Sequence, residues 1–131
     1  MPWGGDNLEY IGKLNRSIYE KELGKLQTDE VVLTNERKIH IKERHPSDYE
    51  LINIYGAETV ENPNIVMFDN KNAATVLLIK KIPESNISVI VRLALENDIK
   101  GNKNSVITFH RLRERHLKKL LERNKILYIR E

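Results

Sequence analysis

The sequence IVMFDNKNAATVLLIKKIPESNISVIVRLAL, residues 65–95, contains three stretches rich in β-branched and aliphatic residues. Short polar segments with Asn, Pro and Ser, which favour turns, separate them. Strands of this length joined by turns this short are typical of an antiparallel meander. We therefore predict three successive antiparallel strands, at residues 65–69, 75–82 and 87–95.

The chain after this meander predicts one more strand, a helix and a last strand. Residues 96–104 are polar and favour a loop, and residues 105–110 have the composition of a strand. Leucines then recur at helical spacing among charged residues from Arg111 to Arg123. Residues 125–130 return to a strand pattern.

The chain before the meander is expected to be mainly helical. Thr34 can cap a helix over Asn35 to His45, and Pro46 stops it. Ser47 and Asp48 can cap the next helix. The other expected elements are strands at 8–13 and 30–33, one or two helical turns at 16–23, and a helical turn at 58–61. The helix capped by Ser47 and Asp48 is expected to run through Tyr55 and to end at Gly56.

This order of elements predicts an α+β fold. We expect N-terminal helices followed by a mostly antiparallel four- to five-stranded sheet, with one late C-terminal helix. With 131 residues the chain has the size of one domain. We assign residues 8–131 to this single domain and the glycine-containing residues 1–7 to a flexible N-terminal segment.

Composition excludes several kinds of chemistry. The chain has no cysteine, so it forms no disulfide, thiolate nucleophile or thiolate zinc site. Its apolar runs are far shorter than the ~20 residues of a membrane helix, and no membrane partner is expected. It has no glycine-rich loop with the spacing that binds nucleotide phosphates.

Charge is divided unevenly along the chain. Residues 92–131 contain 11 basic and 5 acidic residues, whereas residues 1–91 contain 11 basic and 14 acidic residues. The net charge of +3 therefore combines a basic C-terminal part with a slightly acidic remainder. Clustered cations attract polyanions even when the whole molecule carries little charge.

The predicted helix at 35–45 concentrates histidine and arginine. Arg37, His40 and Arg44 share one helix face, and His45 lies on the neighbouring face. Histidine suits proton transfer near neutral pH, and arginine can form bidentate hydrogen bonds to phosphate. This combination of side chains suits phosphodiester cleavage. The alternative is a solvated helix face with a histidine near the C-terminal dipole. The histidines lack the spacing of metal ligands, and no metal or cofactor is expected.

The strand at 105–110 and the helix after it form a second candidate region. Alternation predicts that Thr108 and His110 share one strand face and that Ser105 points to the other. Arg111, Arg115 and Lys118 follow along one helix side and could form a phosphate-binding rim, or could simply solvate the helix.

Several stretches resemble the phage-associated nuclease domains of the barnase/EndoU/colicin/RelE-like superfamily. They are VVLTNER (31–37), HIKERHP (40–46), ENP (61–63) and the tail from NSVITF (104–109) through Leu127-Tyr128. The resemblance extends over roughly residues 8 to 131. It implies N-terminal helices followed by a four-stranded antiparallel sheet, and the activity of a metal-independent ribonuclease, as in phage head-associated proteins and polymorphic toxins.

The resemblance also implies a site. The positions that match the family signature are His40, Arg44, His45, Ser105 and Thr108 as catalytic residues, with Arg111 and Tyr128 as substrate-binding residues. Arg37, Arg115 and Lys118 complete the expected substrate-binding set through their spacing.

The expected reaction is attack of the RNA 2′-hydroxyl on the adjacent phosphorus, which leaves a 2′,3′-cyclic phosphate. His40 and His45 would transfer protons, with Glu43 as a substitute. Arg44 and Arg111 would stabilise the phosphorane.

The expected partners are RNA, with transfer RNA among the candidates, and a neutralising immunity or antitoxin protein. The expected place of action is the bacterial cytoplasm, for a domain that is phage-borne or delivered as part of a larger protein. Two alternatives stay open: a non-catalytic nucleic-acid-binding domain, and a phage structural or protein-interaction domain whose basic face meets an acidic partner.

Overall fold

The computed structural model describes residues 8–83 and 85–130. The predicted flexible segment at residues 1–7 lies outside this part of the chain. The elements are, in chain order, β1 (Leu8–Lys13), α1 (Arg16–Leu23), β2 (Glu30–Thr34), α2 (Asn35–Arg44), α3 (Glu50–Glu61), β3 (Ile65–Phe68), β4 (Thr75–Ile82), β5 (Ser85–Arg92), β6 (Asn104–Leu112), α4 (Glu114–Arg123) and β7 (Ile126–Ile129).

The described residues form one seven-stranded sheet in the order β1-β2-β6-β5-β4-β3-β7. The predicted meander is confirmed, because β3, β4, β5 and β6 pair antiparallel in sequence order. The α+β class is confirmed too. The expected four- to five-stranded sheet after N-terminal helices was wrong, since β1 and β2 precede most helices and extend the sheet beyond β6.

β2 joins the sheet through the one parallel pairing among the described strands. It pairs with β6 only at Val31–Asn104 and Val32–Ser105. Asn104 is fully buried and reinforces this junction, since its side-chain amide donates to the carbonyl oxygens of Thr28 and Glu30, both at 2.8 Å. Beyond Ser105 none of the described strands pairs with the outer edge of β6, and α2 packs beside it.

The two faces of the sheet pack against different helices. Apolar residues of one face, including Val76, Leu78 and Val89, form the larger core together with buried residues of α1, α2 and α3. The opposite face contributes Leu77 and Ile79, among others, to a smaller core under α4. Helices therefore cover both faces, and among the described helices only α4 covers the second face. None of the helices in the described ranges is long and apolar enough to cross a membrane.

Helix α3 differs from its prediction at both ends. It runs without a break from Glu50 to Glu61, so Gly56 does not end it. A Cβ built on Gly56 would meet the Ile11 side chain of β1 at 3.5 Å, so the glycine lies where helix and sheet approach closely. At the other end of α3, no side chain caps the first turn, because the Asp48 carboxylate binds Arg111 instead.

Helix α2 follows its prediction. The Thr34 hydroxyl accepts a hydrogen bond from the backbone N–H of Arg37 at 3.1 Å, which caps the helix. Its last helical residue is Arg44, and His45 is the C-cap.

A β-bulge in β6 changes which residues share a face. Ile90 of β5 pairs with Thr108, but the next residue, Val91, pairs with Val106, so the register shifts by one. Ser105 pairs with Arg92 and therefore lies on the same face as Thr108 and His110. The expectation that Ser105 points to the opposite face was wrong, because simple alternation does not hold across a bulge.

Candidate functional site

Two histidines meet beside the outer edge of β6. His45 ends α2, where its backbone N–H donates to the Ile41 carbonyl at 2.7 Å. Its ring lies against that of His110, with 4.9 Å between the ring centroids and 30° between the planes.

The surroundings of His45 lower the pKa of its imidazole from the ordinary value of 6.5. Burial is the main cause, followed by the neighbouring His110, and the charges of His40 and Arg44 act in the same direction. The Asp48 carboxylate opposes them by favouring the protonated ring. The ring of His45 is therefore neutral at neutral pH.

The surroundings of His110 determine its tautomer. Its Nδ1 lies 2.8 Å from the backbone carbonyl oxygen of Arg111. A carbonyl oxygen can only accept a hydrogen bond, so Nδ1 carries the hydrogen. In the neutral ring, Nε2 is then the nitrogen that can accept a proton.

A groove of about 270 Å³ lies between α4 and the strands β5 and β6. Its lining combines apolar and polar residues from both the strands and α4. The apolar residues are Leu77, Ile90, Leu112 and Leu120, and the polar residues are Ser88, His110, His116, Lys119 and Arg123. His110 thus belongs both to the histidine pair and to the groove.

The cations of this groove form no ion pair with any carboxylate in the part of the chain that the structure describes. Among the described residues, no carboxylate lies within 4.0 Å of the charged groups of Lys119 or Arg123. The groove therefore offers two positive charges and two imidazoles next to an apolar surface, a combination that suits an anion attached to a flat apolar group.

The residues predicted from the sequence divide into two sets. His40, Arg44, His45 and Arg111 lie around the histidine pair, although the Arg111 guanidinium is held by the Asp48 carboxylate with Nε 3.2 Å from Oδ1. Thr108 lies on the sheet face of His110, two residues before it along β6.

The other predicted residues lie elsewhere. Ser105 is at the opposite end of β6, about 13 Å from His110 by the rise of the strand, and it lines a separate cavity with Arg92 and Lys103. Tyr128 is on β7, at the far edge of the sheet, with three strands between it and β6. Arg37 lies in the first turn of α2, and Arg115 and Lys118 are exposed on α4 outside the groove lining.

Three groove residues were missing from the predicted site, although the sequence contains a signal for them. His116, Lys119 and Arg123 follow one another at spacings of three and four residues, which places them on one helix face. His110 was predicted to share a face with Thr108 but was not counted as catalytic. The missing information was that α4 packs on the sheet face that carries His110.

Within residues 8–83 and 85–130, no three His, Asp or Glu side chains are grouped as ligands for a metal ion. Comparison of the chain with protein-family models, curated proteins and solved structures found no match. The resemblance to the barnase/EndoU/colicin/RelE-like nucleases therefore stays a prediction.

Proposed function

We propose that the protein is a metal-independent endoribonuclease that cleaves RNA through attack of the 2′-hydroxyl on the adjacent phosphorus. The observation that carries this proposal is that His110 and His116 line one groove together with the unneutralised cations Lys119 and Arg123. This set contains what the reaction requires, namely a base, an acid and positive charge for the phosphorane.

In this proposal His110 is the general base. Its Nε2 takes the proton of the 2′-hydroxyl while the Arg111 carbonyl holds the hydrogen on Nδ1. The 2′-oxygen then bonds to phosphorus. His116 in its protonated form gives a proton to the departing 5′-oxygen as the bond between phosphorus and that oxygen breaks. The products are a 2′,3′-cyclic phosphate and a 5′-hydroxyl, and Lys119 and Arg123 stabilise the extra negative charge of the phosphorane.

His45 supports this arrangement from behind the groove. Its neutral ring packs on His110, so it adds no second positive charge beside the base. Proton transfer is assigned to His110 and His116 rather than to His40 and His45, because the first two line the groove and the other two do not.

The test is cleavage of total RNA and of transfer RNA in the presence of EDTA, with mapping of the new ends. We expect cyclic phosphate and 5′-hydroxyl ends from the unchanged protein. The variants H110A and H116A should each lose roughly 10²-fold or more in rate. H40A is the matched control, since it removes a histidine near the pair but outside the groove, and it should retain most activity.

Two results would contradict the proposal. A strand of DNA, or an RNA whose 2′-hydroxyl at the cleavage position is replaced by hydrogen, should not be cut at all. If either is cut, or if EDTA abolishes cleavage of ordinary RNA, the reaction is not transesterification by protein side chains alone.

A second candidate is a domain that binds RNA without cutting it. The apolar lining formed by Leu77, Ile90 and Leu120 favours it, because this surface suits a nucleobase beside a bound phosphate and requires no proton transfer. Under this alternative the unchanged protein retards RNA in a gel, and H110A binds RNA as tightly as the unchanged protein. No new RNA ends appear with either protein.

A further inference from the structure

Asp48 joins the turn after α2 to the end of β6. Its Oδ2 accepts a hydrogen bond from the backbone N–H of Arg111 at 3.0 Å, and its Oδ1 lies 3.2 Å from Nε of the same arginine. Only 15% of the Asp48 side chain is exposed, whereas 54% of the Arg111 side chain is. Both carboxylate oxygens are thus used on one residue, and the carboxylate is largely shielded from water.

This contact lies at a part of the outer edge of β6 with which no strand of residues 8–83 and 85–130 pairs. β2 pairs with β6 only as far as Ser105, so the outer edge of β6 is unpaired at Arg111. The backbone N–H of Arg111 points to this edge and would otherwise have no acceptor there. Asp48 satisfies it, and in doing so leaves the first turn of α3 without a side-chain cap.

Hydrogen bonds through Asp48 connect the two histidines. The backbone N–H of Asp48 donates to the carbonyl oxygen of His45 at 3.0 Å. Its carboxylate accepts from Arg111, whose carbonyl oxygen in turn accepts from Nδ1 of His110 at 2.8 Å. The path leads from the backbone of His45 to the ring of His110 through Asp48 and Arg111.

We propose that Asp48 is a positioning residue that holds His45 against His110 and so fixes the His110 ring at the groove. Asp48 does not line the groove, and it acts on the reaction only through the two histidines and Arg111. The catalytic consequence rests on the proposed ribonuclease function, whereas the placement of the two rings does not.

The charge of Asp48 gives this role a measurable signature. The groups that affect His45 are His40 and Arg44 from α2, His110 from β6, and Asp48 from the turn. Asp48 alone among them favours the protonated ring, and the other three disfavour it. Removing its charge should therefore lower the pKa of His45 further.

The experiment compares D48N and D48A with the unchanged protein and with S47A, a neighbouring exposed serine, as the matched control. NMR of the imidazole C–H signals follows the titration of His45 and the contact between the rings of His45 and His110, and amide hydrogen exchange follows Arg111. In D48N the pKa of His45 should fall, while the carboxamide oxygen of the new side chain can still accept from the Arg111 N–H. In D48A the contact between the two rings should also be lost, and exchange of the Arg111 amide should accelerate. S47A should change none of these.

Rates of RNA cleavage add a second readout. D48A should lose roughly 10²-fold in kcat with little change in KM, because the histidines move while the groove cations stay. If D48A fails to fold, D48N still tests whether the Asp48 charge acts on His45, through the titration of that ring. An unaltered His45 titration in a folded D48N, or an unaltered contact between the two rings in a folded D48A, would overturn the proposal. If the unchanged protein cuts no RNA, the ribonuclease function fails, whereas the NMR measurements still judge whether Asp48 positions the rings.

Discussion

The two faces of the sheet differ in how completely helices cover them. On one face, α1, α2 and α3 pack over a continuous apolar surface that includes Leu78, Val89 and Phe109. On the other, α4 packs over Leu77 and Ile79, and the parts of β5 and β6 nearest to β2 remain open. The open part presents Thr108, Ser105 and Arg92. The helices thus pack on the apolar parts of both sheet faces. The candidate site lies at the border of the apolar surface under α4.

Adjacent residues of β6 provide the sharpest test of this comparison. Phe109 is 2% exposed on the covered face, and Thr108 is half-buried on the open one. Phe109→Ala should lower the free energy of unfolding by about 3–5 kcal/mol, because it leaves a cavity in the larger core. Thr108→Ala should cost about 1 kcal/mol or less. Urea denaturation of both variants measures the difference, and equal losses would mean that the faces are equally packed.

The open face should respond to changes in binding rather than in stability. Removing the positive charge of Lys119 or Arg123 should weaken binding of single-stranded RNA and lower the slope of log affinity against log salt by about 1 for each. Lys118→Ala is the matched control, because Lys118 precedes Lys119 on α4 but does not line the groove. Fluorescence anisotropy over a range of salt concentrations measures both. Equal effects of Lys118 and Lys119 would indicate a diffuse basic surface instead of a groove.

Local sequence patterns were enough to predict most elements but not their arrangement. The bounds of β1, α1 and β4 match their predictions, since residues that favour turns or helix ends flank each of these elements in the sequence. The pairing of β2 with β6 joins residues more than 70 positions apart, and no periodicity within either strand records it. The continuation of α3 through Gly56 depends on the approach of β1, which is again a tertiary contact.

The candidate site was predictable in kind rather than in detail. The histidines and cations at 37–45 and 105–118 pointed to phosphate chemistry, and His45 and Arg111 do lie together. The bulge next to Thr108 reversed the expected orientation of Ser105, and the sheet order separated Tyr128 from the other candidates. His116 belongs to the site only because α4 packs on the sheet face that carries His110, and this tertiary contact is not recorded in the helical spacing.

On the covered face, a glycine offers a smaller test. Gly56 has helical neighbours on both sides, and an added Cβ would lie at ordinary contact distances of 3.5 and 3.6 Å from Ile11 and Ile52. Gly56→Ala should therefore raise the free energy of unfolding by about 0.5–1 kcal/mol, because alanine loses less backbone entropy in a helix. Gly24→Ala is the control with opposite sign, since φ of +88° at Gly24 is unfavourable for alanine. Destabilisation by Gly56→Ala would show that the packing of α3 on β1 is tighter than these distances indicate.

The smallest expected effect is a dependence of stability on pH that originates at the histidine pair. The pKa of His45 is lower in the folded protein than its ordinary value of 6.5, so the unfolded chain binds the proton more tightly. The stabilisation that goes with the neutral ring is therefore fully present above pH 6.5 and is lost as the pH falls through the lower pKa of the folded state. His45→Gln removes this titration, so its stability should fall less steeply below pH 6.5 than that of the unchanged protein. Denaturation at pH 8, where the ring is neutral in both states, measures the packing effect of the substitution separately. Parallel curves below pH 6.5 would mean that burial and His110 do not disfavour the charged ring, and that the pair is more open to water than its 4.9 Å separation indicates.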